Sequence, residues 1–262
     1  MPKFVGDAEP LSKSGFANVV EDLGVAIPAL LAVLSVESKS CGFLPDRRPI
    51  ILFERHIFHK RTQGKFSASN PDVSNPAAGG YVGLAGEYPR LEKAAKLDRE
   101  AALMSASWGA GQVMGFNHRA AGYPEVETMV AAMQRSEDDQ LLSVGEFLKA
   151  NNLVKHLKST DWSAFARAYN GPAFAKNKYD ARLAGAHHAY SSGTLPDIDI
   201  RRAQLYLTYL GFNPQGIDGI HGKMSRSAVV KFREVAGVGT GDRVDQALLT
   251  ELQARVKALS RR

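Results

Sequence analysis

An apolar run that ends in a carboxylate, Pro28-Ala-Leu-Leu-Ala-Val-Leu-Ser-Val-Glu37-Ser38, constrains this chain more than any other stretch. Pro28 suits the first turn of a helix, where its missing N–H is not needed. Leu30, Val33, Leu34 and Glu37 then fall at helical spacing on or beside one face. The spacing predicts a core-facing helix that closes on a glutamate. A carboxyl group held against apolar surface resists ionising, so its pKa rises. A carboxyl that stays protonated near neutral pH is the general acid that cleavage of a glycosidic bond requires. The ordinary alternative is a Glu37 that turns outward, as most glutamates do.

The 262 residues leave room for one large domain, or for a medium and a small one. A single cysteine, Cys41, excludes an internal disulfide and a thiolate zinc site, and fits folding in a reducing cytoplasm. The opening Met-Pro-Lys-Phe-Val-Gly-Asp lacks the apolar core of a signal peptide. The apolar run from Val25 to Val36 is too short to span a bilayer. The expectation is cytoplasmic synthesis without membrane insertion. Of the net charge of +6, residues 197–262 carry +4, with 11 Lys/Arg against 7 Asp/Glu. A basic small module points to an acidic partner such as a bacterial envelope. Its cations are scattered rather than gathered on one helix face, which speaks against nucleic acid.

Small, polar, Pro and Gly residues at Ser191-Ser-Gly-Thr-Leu-Pro-Asp197 read as a linker. The domains are therefore expected at 1–190 and 200–262, with a linker at 191–199. Before it, helices are predicted at Leu11–Leu23, Pro28–Ser38, Tyr88–Ser105, Glu125–Gln134, Asp138–Ala150, Leu153–Leu157, Trp162–Tyr169 and Phe174–Ser191. A small β element is expected near 45–55, and a long loop at 66–90, rich in Gly, Pro, Asn and Ser. After the linker, three short helices are predicted: Ile200–Leu210, one capped by Ser225, and one carrying Val244, Leu248, Leu252 and Val256. The fold class is mainly α, with a small three-helix bundle behind a larger helical domain.

Two further segments carry candidate chemistry. In Ser107-Trp-Gly-Ala-Gly-Gln112-Val-Met-Gly115 the glycines allow close approach of a chain or ligand, and Gln112 offers both donor and acceptor. A sugar polymer needs such two-way partners. A glycine-lubricated helix crossing, with Gln112 satisfied locally, is the alternative. In Ala166-Arg-Ala-Tyr169-Asn170-Gly-Pro172 a helix stops at Gly171, presenting Tyr169 and Asn170 at its end, or simply capping it.

Together these three segments resemble the lysozyme-like superfamily, particularly goose-type lysozymes and lytic transglycosylases. Gly109-Ala-Gly-Gln112 and Ala168-Tyr-Asn-Gly171 are variants of its cleft motifs. Gly42-Phe, with Arg48-Pro-Ile-Ile-Leu-Phe-Glu-Arg-His56-Ile-Phe58, looks more specifically like the N-acetylmuramidase domain of phage endolysins, over about residues 15–190. Leu210-Gly-Phe212, Ile217-Asp-Gly-Ile220 and Ser-Ala-Val-Val-Lys-Phe232 are similar to a three-helix peptidoglycan-binding domain. There His221-Gly222 and Ser225 depart from the usual Phe-Gly and Thr.

The resemblance implies an endolysin that hydrolyses the β-1,4 bond between N-acetylmuramic acid and N-acetylglucosamine. Glu37 would be its acid, and Gln112, Tyr169 and Asn170 its sugar contacts. Peptidoglycan would be the partner of a monomer that reaches the wall once the inner membrane has been opened. A second carboxylate is expected to be Glu54, flanked by large apolar residues, rather than Asp46, which reads as a turn residue paired with Arg47 or Arg48. A lytic transglycosylase and a non-catalytic wall-binding protein are the alternatives. Glu54, His56 and His59 match no strong metal spacing, so no metal and no cofactor are expected.

Overall fold

The computed structural model of the chain describes residues 4–38, 41–171, 175 and 178–259, with the backbone alone at 37, 38 and 170. Helix α1 (Lys13–Leu23) starts at Ser12, whose hydroxyl accepts from Gly15 N, and stops at left-handed Gly24. It begins after Leu11, not at it, because Ser12 is extended, with φ −92° and ψ 156°, and takes the capping position. Helix α2 (Ile27–Ser38) is more thoroughly enclosed than its sequence suggests. Leu31 and Ala32 are buried along with Leu30, Val33 and Leu34, so the helix is apolar on all sides rather than on one face.

Strand β1 (Ile51–Phe53) leads into α3 (Arg55–Arg61) and a turn-rich connection that reaches a single 3₁₀ turn at Leu84–Gly86. The predicted helix Tyr88–Ser105 is two helices, α4 (Glu87–Leu97) and α5 (Arg99–Met104). They part at extended Asp98, whose carboxylate caps α5 through Ala101 N. The glycine-rich segment is not a helix crossing but a hairpin. Strands β2 (Ala106–Trp108) and β3 (Val113–Met114) pair antiparallel, and β1 pairs with β2 in the register Ile51↔Trp108 and Phe53↔Ala106. A three-stranded sheet, order β1-β2-β3, thus lies beside the helices.

Helices α6 (Val126–Arg135), α7 (Glu137–Ala150), α8 (Val154–Lys158), α9 (Trp162–Asn170) and α10 (Tyr179–Ser192) close the first core around α2. Then α11 (Ile198–Tyr209), α12 (Lys223–Ala236) and α13 (Gln246–Leu259) form the bundle. The break between α10 and α11 spans five residues, 193–197, shorter than the linker expected at 191–199. Ser225 does not cap α12, which follows Gly222. Ser225 lies inside the first turn, buried, accepting from Gln204 Nε2 and donating to the Ile220 carbonyl. Asp218 forms the preceding turn by accepting from Ile220 N.

The two cores exchange residues. Ala8, Cys41 and Phe43 pack with Leu205, Tyr206, Phe232 and Leu252 of the bundle, while Ile198 joins the first core. The bundle is thus packed on the larger body rather than tethered beside it. Among the described residues no single helix is long and apolar enough to cross a membrane; α1 and α2 pass that test only as a pair bent by 111°.

Candidate active site

Two of the three candidate segments meet at the hairpin turn 109–112, and the body of α2 lies close to it. Leu31 and Leu34 of α2 line one small cavity with Ala110, so the middle of the apolar helix lies behind that turn. From the other side, the Tyr169 hydroxyl at the end of α9 donates to the Gly111 carbonyl at 2.8 Å. Arg182 of α10 donates to the Val36 carbonyl beside Glu37. Glu37 itself occupies the final turn of α2, and Asn170 the final position of α9. The side chains of both lie outside the described residues.

A groove of about 370 Å³ opens over this junction, lined by Leu52, Ser107, Gln112, Met114, Asn117 and Tyr169, among others. Tyr169 is held rigidly there, stacked on Phe165 with centroids 5.3 Å apart and edge-on to Phe147 at 5.6 Å. Gln112 needs a correction. It sits at a left-handed φ of 48° and closes the hairpin with its own amide. Its Oε1 accepts from Ser107 Oγ at 2.8 Å, and its Nε2 donates to the Gly109 and Ile50 carbonyls at 2.8 and 3.2 Å. Both amide donors are thereby engaged, so Gln112 lines the groove as a turn staple rather than as a two-way partner for sugar hydroxyls. Asn117 escaped the sequence reading. It lines the same groove, and its amide makes no hydrogen bond among the described residues.

Glu54 follows β1, two residues beyond groove-lining Leu52 and therefore on the same side of the extended backbone. It is not itself among the groove residues. Its Oε2 accepts from the Tyr81 hydroxyl at 2.8 Å, and His56 Nδ1 lies 3.1 Å away without hydrogen-bond alignment. Burial and the Glu54 carboxylate push the Tyr81 hydroxyl up to about 12. His59 turns away, its Nδ1 paired with Ser67 Oγ at 2.7 Å, so Glu54, His56 and His59 do not converge. Asp46 is occupied by Arg48, at 2.9 Å from Nε and 2.6 Å from Nη2.

What holds the junction is a pair of side chains the sequence reading did not single out. Glu137 and Gln140 begin α7 one turn apart, on the same inward face as Leu141, Val144 and Leu148. Polar residues in register with that apolar face were the available signal. Gln140 Oε1 accepts from Ala110 N at 2.8 Å, and its Nε2 donates to the Met133 carbonyl. Glu137 Oε1 accepts from Gly42 N and Oε2 from Leu11 N, both at 2.8 Å. Arg201 of α11 clamps both oxygens, Nη1 to Oε2 at 2.6 Å and Nη2 to Oε1 at 2.7 Å. Burial alone would raise the Glu137 carboxyl; Arg201 and the two backbone donors outweigh it and hold the carboxyl below its usual range.

A family model, Muramidase (N-acetylmuramidase), matches residues 26–191. A solved structure, the endolysin of the Burkholderia phage AP3, is 42% identical and superposes with a TM-score of 0.65, covering 70% of this chain and 71% of that one. No curated protein matches the chain.

Proposed function

The chain belongs to the N-acetylmuramidase family, and on that premise we propose that it is an endolysin that hydrolyses the β-1,4 bond between N-acetylmuramic acid and N-acetylglucosamine in peptidoglycan. The observation that carries this reading is the contact of two remote segments, the hairpin 109–112 and the end of α9, beside the buried body of the helix that Glu37 closes. That helix is buried along its body, from Ala29 to Leu34, and a carboxyl beside such apolar surface is suited to donate a proton to a leaving oxygen. Glu37 is the acid. Tyr169 and Asn170 orient the sugars, while Gln112 holds the groove wall in shape.

Glu54 is the second carboxylate, stabilising the oxocarbenium-like transition state or orienting water. Its support is the Tyr81 hydrogen bond, which fixes one oxygen, and the loss of its rival Asp46 to Arg48. The C-terminal bundle binds the wall and raises the local substrate concentration. The enzyme is made in the host cytoplasm and reaches its substrate after the inner membrane opens.

Digestion of purified Gram-negative peptidoglycan, read by mass spectrometry, tests the chemistry. Hydrolysis gives reducing muramic acid ends. Anhydro ends alone would make the chain a lytic transglycosylase. Failure of both wild type and Glu37→Gln to clear permeabilised cells would make it a binding protein, and equal clearing by both would remove Glu37 from the mechanism. A Glu54→Gln variant with wild-type turnover would leave Glu37 as the sole catalytic carboxylate.

A further inference from the structure

We propose that Arg201, which belongs to the C-terminal bundle, is a positioning residue for glycan cleavage: through Glu137 it fixes the chain at Gly42, five residues after Glu37. The inference rests on Glu37 being the acid.

Cys41 and Gly42 follow the end of α2 by only a few residues, and Gly42 is a crossing point. Its N–H is held by Glu137, and its carbonyl accepts from Ile50 N at 2.8 Å, which starts the path to β1. A Cβ on Gly42 would overlap Gln140 Oε1 and stand 3.0 Å from Ala110 N, the first amide after Gly109 in the hairpin turn. The chain at Gly42, the start of β1 and the turn under the groove are therefore locked at one place. Glu137 is the anchor of that place, and it is 1% exposed. A carboxylate so buried keeps its charge only beside a matched cation. Arg201 supplies it with a planar fork that sets the direction of both oxygens, which a lysine does not do.

Other contacts seat the bundle on the N-terminal segment rather than on the Glu137 carboxylate. The Tyr206 hydroxyl and Gln253 Nε2 both donate to Glu9 Oε2, the Tyr209 hydroxyl donates to the Ala8 carbonyl, and Lys13 pairs with Asp199. They allow docking and positioning to be separated in the full chain.

The test measures turnover on a soluble, peptide-free peptidoglycan glycan oligomer, where wall tethering confers no advantage, and on whole sacculi. For Arg201→Met, kcat on the oligomer is expected to fall roughly tenfold or more, with KM unchanged within about twofold. Arg201→Lys recovers part of that loss. Tyr206→Phe, which loosens docking elsewhere, keeps the wild-type kcat. A folded Arg201→Met with wild-type kcat overturns the proposal, as does a defect seen only as raised KM on sacculi. Where Arg201→Met does not fold, Arg201→Lys decides: reduced kcat at wild-type KM supports positioning, and wild-type kcat overturns it. A wild type that cleaves neither substrate defeats the glycan-cleavage reading itself, a result distinct from variants that match an active wild type.

Discussion

Two buried glutamates use the same device at opposite ends of the sheet, with different partners. Glu87 accepts from the N–H groups of Val82, Gly83 and Phe53 and pairs with Arg90 Nη1 at 2.5 Å. Glu137 accepts from Gly42 and Leu11 and pairs with Arg201. Arg90 is three residues along the same helix as its glutamate, whereas Arg201 is 64 residues away in the bundle. The knot that shapes the 79–87 loop around Tyr81 is therefore self-contained. The knot behind Glu37 is completed by another part of the molecule. One side of the candidate site is locked locally, and the other depends on docking.

The largest effect is expected from removing each cation in turn. Breaking a buried pair leaves an uncompensated charge and costs about 3–5 kcal/mol. Arg201→Met and Arg90→Met should both lower stability by that order, measured by denaturant unfolding. Only Arg201→Met should split the transition, with bundle and body unfolding separately. Coincident transitions in both variants would erase the distinction.

Glycine substitutions sharpen it at smaller magnitude. At Gly42 a Cβ has no space, so Gly42→Ala should destabilise by about 1–3 kcal/mol through overpacking. At Gly83 nothing lies within 4 Å, and only the backbone, with φ 82° and ψ 152°, opposes a side chain, so Gly83→Ala should cost about 1–3 kcal/mol through strain alone in thermal unfolding.

Acid addresses the Glu137 knot directly. Its folded carboxyl lies below the ordinary glutamate value of 4.5, so its contribution is present above that pH and is lost as pH falls through the folded value. Stability followed by circular dichroism should decline below about pH 4.5, and Glu137→Gln should flatten that decline.

The smallest change is expected from Tyr81→Phe, which removes one half-exposed hydrogen bond and about 0.5–1 kcal/mol. The raised Tyr81 hydroxyl stabilises the fold below its ordinary value of 10, a contribution lost as pH rises toward about 12. The variant should therefore tolerate alkali better than its neutral-pH loss suggests.

The contrast also explains what could be read from the chain. Helix α2 was legible because its apolar composition is local, and α9 because Asp161 and Gly171 bracket it. The turn at Asp46 was legible for the same reason. The hairpin at 106–114 was not. Its strands are three and two residues long and separated by glycines, so their pairing is decided by β1, more than fifty residues earlier. Asp98 split one predicted helix by capping the next. Glu137 stands just before the helix predicted at Asp138–Ala150; that it begins the helix and is buried depends on Arg201, which no local window contains. The same holds for Gln112, whose amide reaches back to Ile50.

The clamp on Glu137 has a consequence in time. A ribosome delivers Leu11, Gly42 and Glu137 well before Arg201, so the carboxylate that gathers the first three stays without its cation during much of translation. Order of synthesis becomes order of maturation: the backbone beyond Glu37 gains its final anchor only after the first helix of the bundle has emerged and turned back onto the body.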